Sequence, residues 1–277
     1  MNTGRLEQTA LVLANVRLST AAVLLELRLP ETAAAARPGQ FLMLANRRTY
    51  LRRPLAICAV DHDRRSVSVA MEAKGAGIRD LMNLVHGDEI TVLGPLGRGW
   101  RYTDYQAVIA VGGGTGVYAL PTLLEAARAA RIATACVLGF RERSRLVLED
   151  RFRAAADTLL LASEKGGLDV AGTVLDGLRA LDPALLGRHA PGQVLVACCG
   201  PAPMMRAVAA WAAERGFACQ VSLEERMACG FGVCRTCACR VRAGAGDGWT
   251  YERVCCEGPV FDAADIIWEE DGDGCES

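Results

Sequence analysis

The sequence predicts a multidomain chain of α/β plus β class. An antiparallel β-barrel comes first, then a parallel α/β domain, then a small cysteine-rich C-terminal segment. Three observations carry this expectation. Short alternating apolar runs broken by Gly and Pro fill residues 1–103, the texture of a small barrel. From residue 104 onward, continuous apolar runs alternate with helical stretches, as in a parallel sheet buried on both faces. Beyond residue 217 the cysteines crowd together. The expected division is therefore 1–103, 104–217 and 218–277. A chain of 277 residues is long enough for two or three cores.

In the first part, strands are expected at Leu11–Leu18, Ala22–Leu29, Phe41–Ala45, Leu55–Val60, Ser66–Ala73 and Glu89–Leu93. Pro38-Gly-Gln supplies the turn before Phe41. One helix, Ile78–Val85, follows Lys74-Gly-Ala-Gly77. In the second part, Ala107–Val111, Ile132–Leu138, Thr158–Ala162 and Val194–Ala197 read as buried strands. Val117–Ala130, Arg145–Ala155, Thr173–Leu181 and Ala202–Arg215 read as the helices between them. Phe217–Leu223 leads into the cysteine segment, and an acidic run, Glu269–Glu276, ends the chain.

Composition removes several function classes. Thirty-one basic and 32 acidic residues leave a net charge of −1, so nothing favours nucleic acid. Lys74 and Lys165 are the only lysines, which makes any single Arg a weak signal. No apolar run reaches the about 18 residues of a membrane helix. No secretory signal opens the sequence, so a reducing, cytoplasmic setting with free thiols is expected.

The cysteine segment carries the strongest chemical signal. Cys229, Cys234 and Cys237 are spaced C-x4-C-x2-C, and Cys255 follows with seventeen residues between. This is the plant-type pattern for a 2Fe-2S cluster, in which one loop gives three thiolates and a later segment the fourth. Gly230 and Gly232 let the loop wrap closely, and successive N–H groups in such a loop form an anion nest. Buried free cysteines or a zinc site are the alternatives, but zinc usually takes two close pairs, and here only one C-x2-C exists. The spacing prefers Cys237 to Cys239 and leaves Cys255 and Cys256 both open as the fourth ligand.

Gly112, Gly113, Gly114, Thr115 and Gly116 form a glycine-rich turn between a strand and a helix. Such a turn offers helix N-terminal N–H groups to a phosphate. It departs from G-x-G-x-x-G, and alone it could simply pack a helix on a strand. Cys199, Gly200 and Pro201 form a second turn at a strand's C-terminal end. Ligands of open α/β sheets bind at such ends, so the two turns together indicate a dinucleotide. Phe140-Arg-Glu-Arg143 stands where a ribose selector usually sits and reads either as a 2′-phosphate site or as a solvated loop, leaving NAD and NADP both open. Cys199 is not expected to be a nucleophile, because His62, His86 and His189 read as surface or structural residues.

A nicotinamide delivers a hydride, whereas an iron–sulfur cluster takes one electron. A protein with both sites needs a flavin between them. Arg52-Arg53-Pro54-Leu55-Ala56-Ile57 can meet a diphosphate through a guanidinium fork. Lys74-Gly-Ala-Gly77-Ile78 opens a helix suited to a phosphate, although either motif could be an ordinary turn with exposed Arg.

The motif order is R-R-P-L-x-I, K-G-x-G, G-G-G-T-G, C-G-P-x-x-M, E-E-R-M-A-C-G-x-G-x-C-x-x-C and V-C-x-x-G-P-V-F. It resembles the electron-transfer subunits of class 1B dihydroorotate dehydrogenase, which are ferredoxin-reductase-like flavoproteins. The resemblance covers about residues 8–262 and is most specific over Glu224–Cys237 and Cys255–Phe261. It implies Cys255 as the fourth cluster ligand. It implies FAD against Arg53, Pro54, Leu55, Ala56, Ala70, Met71, Glu72, Gly77 and Ile78, and NAD against Gly112–Gly116 and Cys199–Pro201, with Cys199 beside the nicotinamide. It also implies a separate FMN-containing catalytic subunit that oxidises dihydroorotate in pyrimidine biosynthesis, joined to this chain in a heterotetramer. Electrons would then cross the cluster and FAD to NAD+, with no side-chain acid or base essential.

Ala56 and Ile78 depart from that family, which usually has hydroxyl-bearing residues at both places. FAD is still expected to bind, more loosely or at a shifted potential. Two other readings remain: the same fold serving a hydrogenase or a ferredoxin:NADP oxidoreductase, and a redox-sensing module without turnover.

Overall fold

The computed structural model describes residues 7–181, 189–243 and 248–268. The acidic run Glu269–Glu276 lies outside them.

The expected early strands form as β1 (Glu7–Arg17), β2 (Ala22–Arg28), β3 (Phe41–Leu44), β4 (Arg53–Asp61), β5 (Ser66–Glu72) and β6 (Glu89–Leu96). All pair antiparallel and close into a barrel in the order β1-β2-β5-β4-β3-β6. Alternation sends Leu25, Leu27, Leu42, Leu44, Ile57 and Val69 into the barrel core. Closure removes exposed sheet edges.

Two helices of this part differ from expectation. α1 (Pro30–Ala35) was not foreseen, although Pro at its first turn followed by alanines is a fair starting signal. The expected helix Ile78–Val85 instead runs as α2 (Gly75–Leu81), beginning inside the glycine motif. It stops early because the Asn15 side chain takes the carbonyls of Met82 and Leu84, at 2.9 and 2.7 Å.

The second sheet contains β7 (Ala107–Gly113), β8 (Ala133–Phe140), β9 (Thr158–Ser163), β10 (Val170–Ala171), β11 (Val194–Cys199), β12 (Ala218–Ser222) and β15 (Val260–Asp262). Its order is β10-β9-β8-β7-β11-β12-β15, parallel except for β12 against β15. The chain order reverses between β7 and β11, which puts the switch point at their C-terminal ends. Helices α3 (Pro121–Ala129), α4 (Glu149–Ala155), α5 (Val174–Ala180) and α6 (Ala202–Ala213) flank it.

The single helix expected over Val117–Ala130 is split. Gly114–Ala119 is a 3-10 segment, and α3 starts afresh at Pro121, whose missing N–H suits a first turn. The helix expected from Arg145 begins at Glu149, after Leu148 in the left-handed region at φ 57°.

In the last part, β13 (Ala238–Arg242) and β14 (Trp249–Arg253) form a hairpin that the sequence did not announce, being short and polar. The division expected at 217/218 separates β12 and β15 from the sheet to which they belong. The three parts share one core. Phe41, Met43 and Leu96 of the barrel, Val196 and Val221 of the sheet, and Cys237, Cys255 and Phe261 belong to a single apolar cluster. Buried Gln220 clamps the barrel exit to β12. It accepts from the Arg101 N–H at 3.0 Å and donates to the Arg101 carbonyl at 2.9 Å.

Candidate functional site

Two clefts meet where the three parts touch. The first has a volume of about 550 Å3. Pro54, Leu55 and Ala56 on β4, Ala70, Met71 and Glu72 on β5, and Ile78 on α2 line one side. Thr115, Gly116, Tyr118 and Cys199 line the other, and Met227 reaches in from the cysteine segment. The second cleft measures about 750 Å3. Gly113, Gly114, Thr115, Gly200, Pro201 and Arg206 form one wall; Cys239, Arg240 and Trp268 form the other. Lys74, Thr115, Leu223, Glu224 and Glu225 border both. The clefts are therefore neighbours, as two exchanging rings require.

Three of the candidate residues stand behind the walls. The Arg53 guanidinium donates to the Leu51 carbonyl at 3.1 Å and to Thr49 Oγ1 at 2.8 Å. A Cβ on Gly77 would lie 2.6 Å from Arg53 Nε, so the two barrel motifs form one packed unit. A Cβ on Gly112 would meet the side chains of Leu120, Leu138 and Val117. Gly116 is different. A Cβ there would come within 2.4 Å of the Cys199 carbonyl, so the two turns touch backbone to backbone.

The junction is electrostatically mixed. Burial pushes the Cys199 thiol well above its ordinary range, the charge of Glu224 adds to this, and the bond to the Ser222 carbonyl at 3.5 Å opposes it. Cys199 is thus a neutral thiol and a poor nucleophile. Burial also raises the Glu224 carboxyl, while Lys74 and a hydrogen bond with Thr115 pull it down. Glu224 still touches solvent. His62, His86 and His189 border neither cleft. Arg141 and Arg143 are exposed and also border neither, and Glu142 between them pairs with Lys165 at 2.9 Å.

The fit of a flavin to the first cleft rests on its shape and on Tyr118. The cleft is mainly apolar on its barrel side, and the Tyr118 ring is buried. The Tyr118 hydroxyl has no hydrogen-bond partner among the described residues. A buried donor without a partner is costly, and a bound group with an acceptor would satisfy it.

The cysteine loop shows how a two-iron cluster would fit. Gly230 and Gly232 adopt φ 82° and 89°, which bends the loop around its sulfurs. The Cys234 N–H points at Cys229 Sγ at 3.5 Å. The Thr236 hydroxyl donates to Cys234 Sγ at 3.3 Å and leads the causes that lower that thiol to about 6. Cys237 and Cys255 are both buried and share a hydrogen bond; burial raises the Cys255 thiol first, and Cys237 adds to it. Among the described residues, no three or more His, Cys, Asp or Glu side chains gather as a site for one ion. The donor set is four thiols, the ligands that a two-iron cluster takes. Cys256 Sγ lies 3.9 Å from Cys255 Sγ and packs beneath Gly232. Arg253 braces the fourth-ligand turn to the loop, donating to the Gly232 carbonyl at 2.9 Å and to Glu257 at 2.9 Å.

Sequence reasoning missed Tyr118, Met227, Arg206, Arg240 and Trp268 as cleft residues. Met227 stood inside the E-E-R-M run and was within reach. Arg240 and Trp268 carried no signal, because only the fold of the hairpin brings them to the second cleft.

The chain is similar to known proteins of one family. A family model described as the iron-sulfur cluster binding domain of dihydroorotate dehydrogenase B matches residues 224–267. A dihydroorotate dehydrogenase B (NAD(+)) electron transfer subunit of Caldanaerobacter subterraneus subsp. tengcongensis is 33% identical over 83% of this chain and 87% of its own length. The protein of the same name from Bacillus caldolyticus is 36% identical over 83% and 86%. Among solved structures, an NADH-dependent reduced ferredoxin-NADP oxidoreductase studied for flavin-based electron bifurcation superposes with a TM-score of 0.82. It has 26% identity and covers 97% of this chain and 92% of its own. A ferredoxin NADP+ reductase from Neisseria gonorrhoeae shares the fold alone, with a TM-score of 0.63, 14% identity, and coverage of 76% and 92%. Among the described residues no helix is long and apolar enough to cross a membrane.

Proposed function

The chain belongs to the electron transfer subunits of dihydroorotate dehydrogenase B (NAD(+)), and from that premise we propose how its residues are used. With its cofactors bound, the subunit passes electrons from the catalytic subunit through a 2Fe-2S cluster and FAD to NAD+, the flavin converting single electrons into a hydride.

FAD lies in the first cleft. Pro54, Leu55, Ala56, Ala70, Met71, Glu72 and Ile78 form its barrel wall, and Arg53 and Gly77 hold that wall in shape. NAD(H) enters the second cleft over Gly113–Thr115 and Gly200–Pro201, with Gly116 and Cys199 at the passage to the first. Cys229, Cys234, Cys237 and Cys255 hold the cluster. These side chains position rings and exclude water; the buried neutral Cys199 moves no proton. The single observation that carries the assignment is the shared border. Glu224, Glu225 and Met227, just ahead of Cys229, line the same cleft as the barrel motifs and Cys199.

The partner is an FMN-containing catalytic subunit, the assembly a heterotetramer, and the setting the cytoplasm. Anaerobically purified protein should contain one FAD, two irons and two sulfides per chain and reduce an artificial acceptor with NADH. Co-expression should retrieve the catalytic subunit and yield NAD+-linked dihydroorotate oxidation. A chain with one zinc and no flavin would overturn the assignment. The solved bifurcating oxidoreductase favours a second partner of ferredoxin:NADP oxidoreductase type. Stable assembly with such a partner, and none with the dihydroorotate-oxidising subunit, would establish it.

A further inference from the structure

We propose that the Tyr118 hydroxyl donates a hydrogen bond to the bound flavin ring and replaces the contacts absent at Ala56 and Ile78. The proposal rests on the assignment of FAD to the first cleft.

Four observations carry it. Tyr118 is only 3% exposed, yet it borders the first cleft and not the second. Its hydroxyl is among the few buried side-chain polar atoms without a partner among the described residues. It belongs to the same apolar cluster as Ala56 and Ala70, and all three line the first cleft. The nearest acidic side chain affecting it, Glu72, is engaged by Arg145 at 3.9 Å. Burial, then the charge of Glu72, raises the phenol further above its ordinary range. It therefore remains a donor throughout the working pH range.

The energetic logic is an exchange of sites. An unmade buried hydrogen bond costs more than a made one gains. Without a partner the Tyr118 hydroxyl bears that cost, and an acceptor on the flavin relieves it. The sequence segment explains the placement. Gly114–Ala119 is a 3-10 segment, and this path brings the residue after Val117 to the first cleft, while Gly113 and Gly114 border the second and Thr115 borders both.

The test is Tyr118→Phe, which removes one oxygen and keeps the packing. Titration of apoprotein with FAD should show affinity weakened roughly three- to tenfold, the range of one hydrogen bond. The visible flavin band should shift. The apoprotein's melting temperature should hold or rise, because the orphaned group is gone. Adding Ala56→Ser to Tyr118→Phe should recover part of the affinity. Unchanged FAD affinity and spectrum in Tyr118→Phe would overturn the proposal and leave FAD binding standing. Failure of the unaltered protein to bind FAD would overturn both. A fall in apoprotein stability with unaltered FAD binding would assign the hydroxyl a purely structural role and reject the contact.

Discussion

As proposed, the first cleft and the cysteine loop solve the same problem, holding a redox group, with different materials. The cleft takes its lining from β4, β5, α2, the Gly114–Ala119 turn, the end of β11 and the segment after β12. Most of these are fixed by apolar packing, and the barrel and sheet cores behind them are buried. The loop takes its sulfurs from two nearby stretches and turns on positive-φ residues at 230, 232 and 235. Its tip carries Phe231 and Val233, 46% and 74% exposed. The difference shows where rigidity comes from. The cleft is shaped by its surroundings, whereas the loop depends on the metal-thiolate bonds it would make, since few apolar contacts hold its tip.

The comparison can be broken most sharply at the loop. Cys255→Ser should abolish the cluster, leaving on the order of a tenth of the iron or less, because one of four thiolates is lost. FAD content should persist, since the cleft does not depend on Cys255. Cys256→Ser should keep the iron and the EPR signal of the dithionite-reduced protein. Loss of the cluster in Cys256→Ser with retention in Cys255→Ser would exchange the two assignments.

The junction comes next. Gly116→Val places a Cβ against the Cys199 carbonyl, with no flexible atom to yield. A destabilisation of about 1–3 kcal/mol is expected from overpacking, with NADH–acceptor activity falling by more than tenfold while iron stays bound. Unchanged NADH kinetics would show that the two turns do not form the nucleotide site.

Gly77→Ala is milder. Its Cβ would press on the Arg53 guanidinium, which has a long side chain and can shift. FAD affinity should weaken several-fold, about the value of one hydrogen bond, as read by flavin retention on dilution. Full retention would separate Arg53 from the flavin.

The smallest effect concerns Glu224. Its native carboxyl lies above its ordinary range because of burial. A raised acid binds its proton more tightly in the native state, so the ionised form costs stability above the native pKa. The cost disappears below the unfolded pKa, where both states are protonated. Glu224→Gln should therefore raise the melting temperature slightly at neutral pH and leave it unchanged near pH 4, a value just below the unperturbed carboxylate at about 4.3. Melting curves across pH would detect this; an equal shift at both pH values would point to packing instead.

Much of this protein was legible before its fold was known. The six barrel strands, the parallel strands and the two glycine turns stand where periodicity and Gly punctuation put them. The failures have local causes. Pro121 divided an apparently continuous helix, Asn15 ended α2 from 67 residues away, and the polar hairpin β13–β14 gave no periodic signal. Gly112 borders neither cleft, and a Cβ on it would meet the Leu120, Leu138 and Val117 side chains, a neighbourhood that its motif does not reveal.

The sequence by itself determined the chemistry on offer: four thiolates at a spacing suited to iron, turns able to receive phosphates, and an Arg-Pro motif in a barrel that could meet a flavin diphosphate. Those are local properties, set by residue type and by separation along the chain. Only the tertiary structure decided that the clefts adjoin at Thr115 and Glu224, that β12 and β15 tie the cysteine segment to the sheet, and that Tyr118 and Ala56 line one cleft. Those are relations between distant residues, and packing of the shared core fixes them.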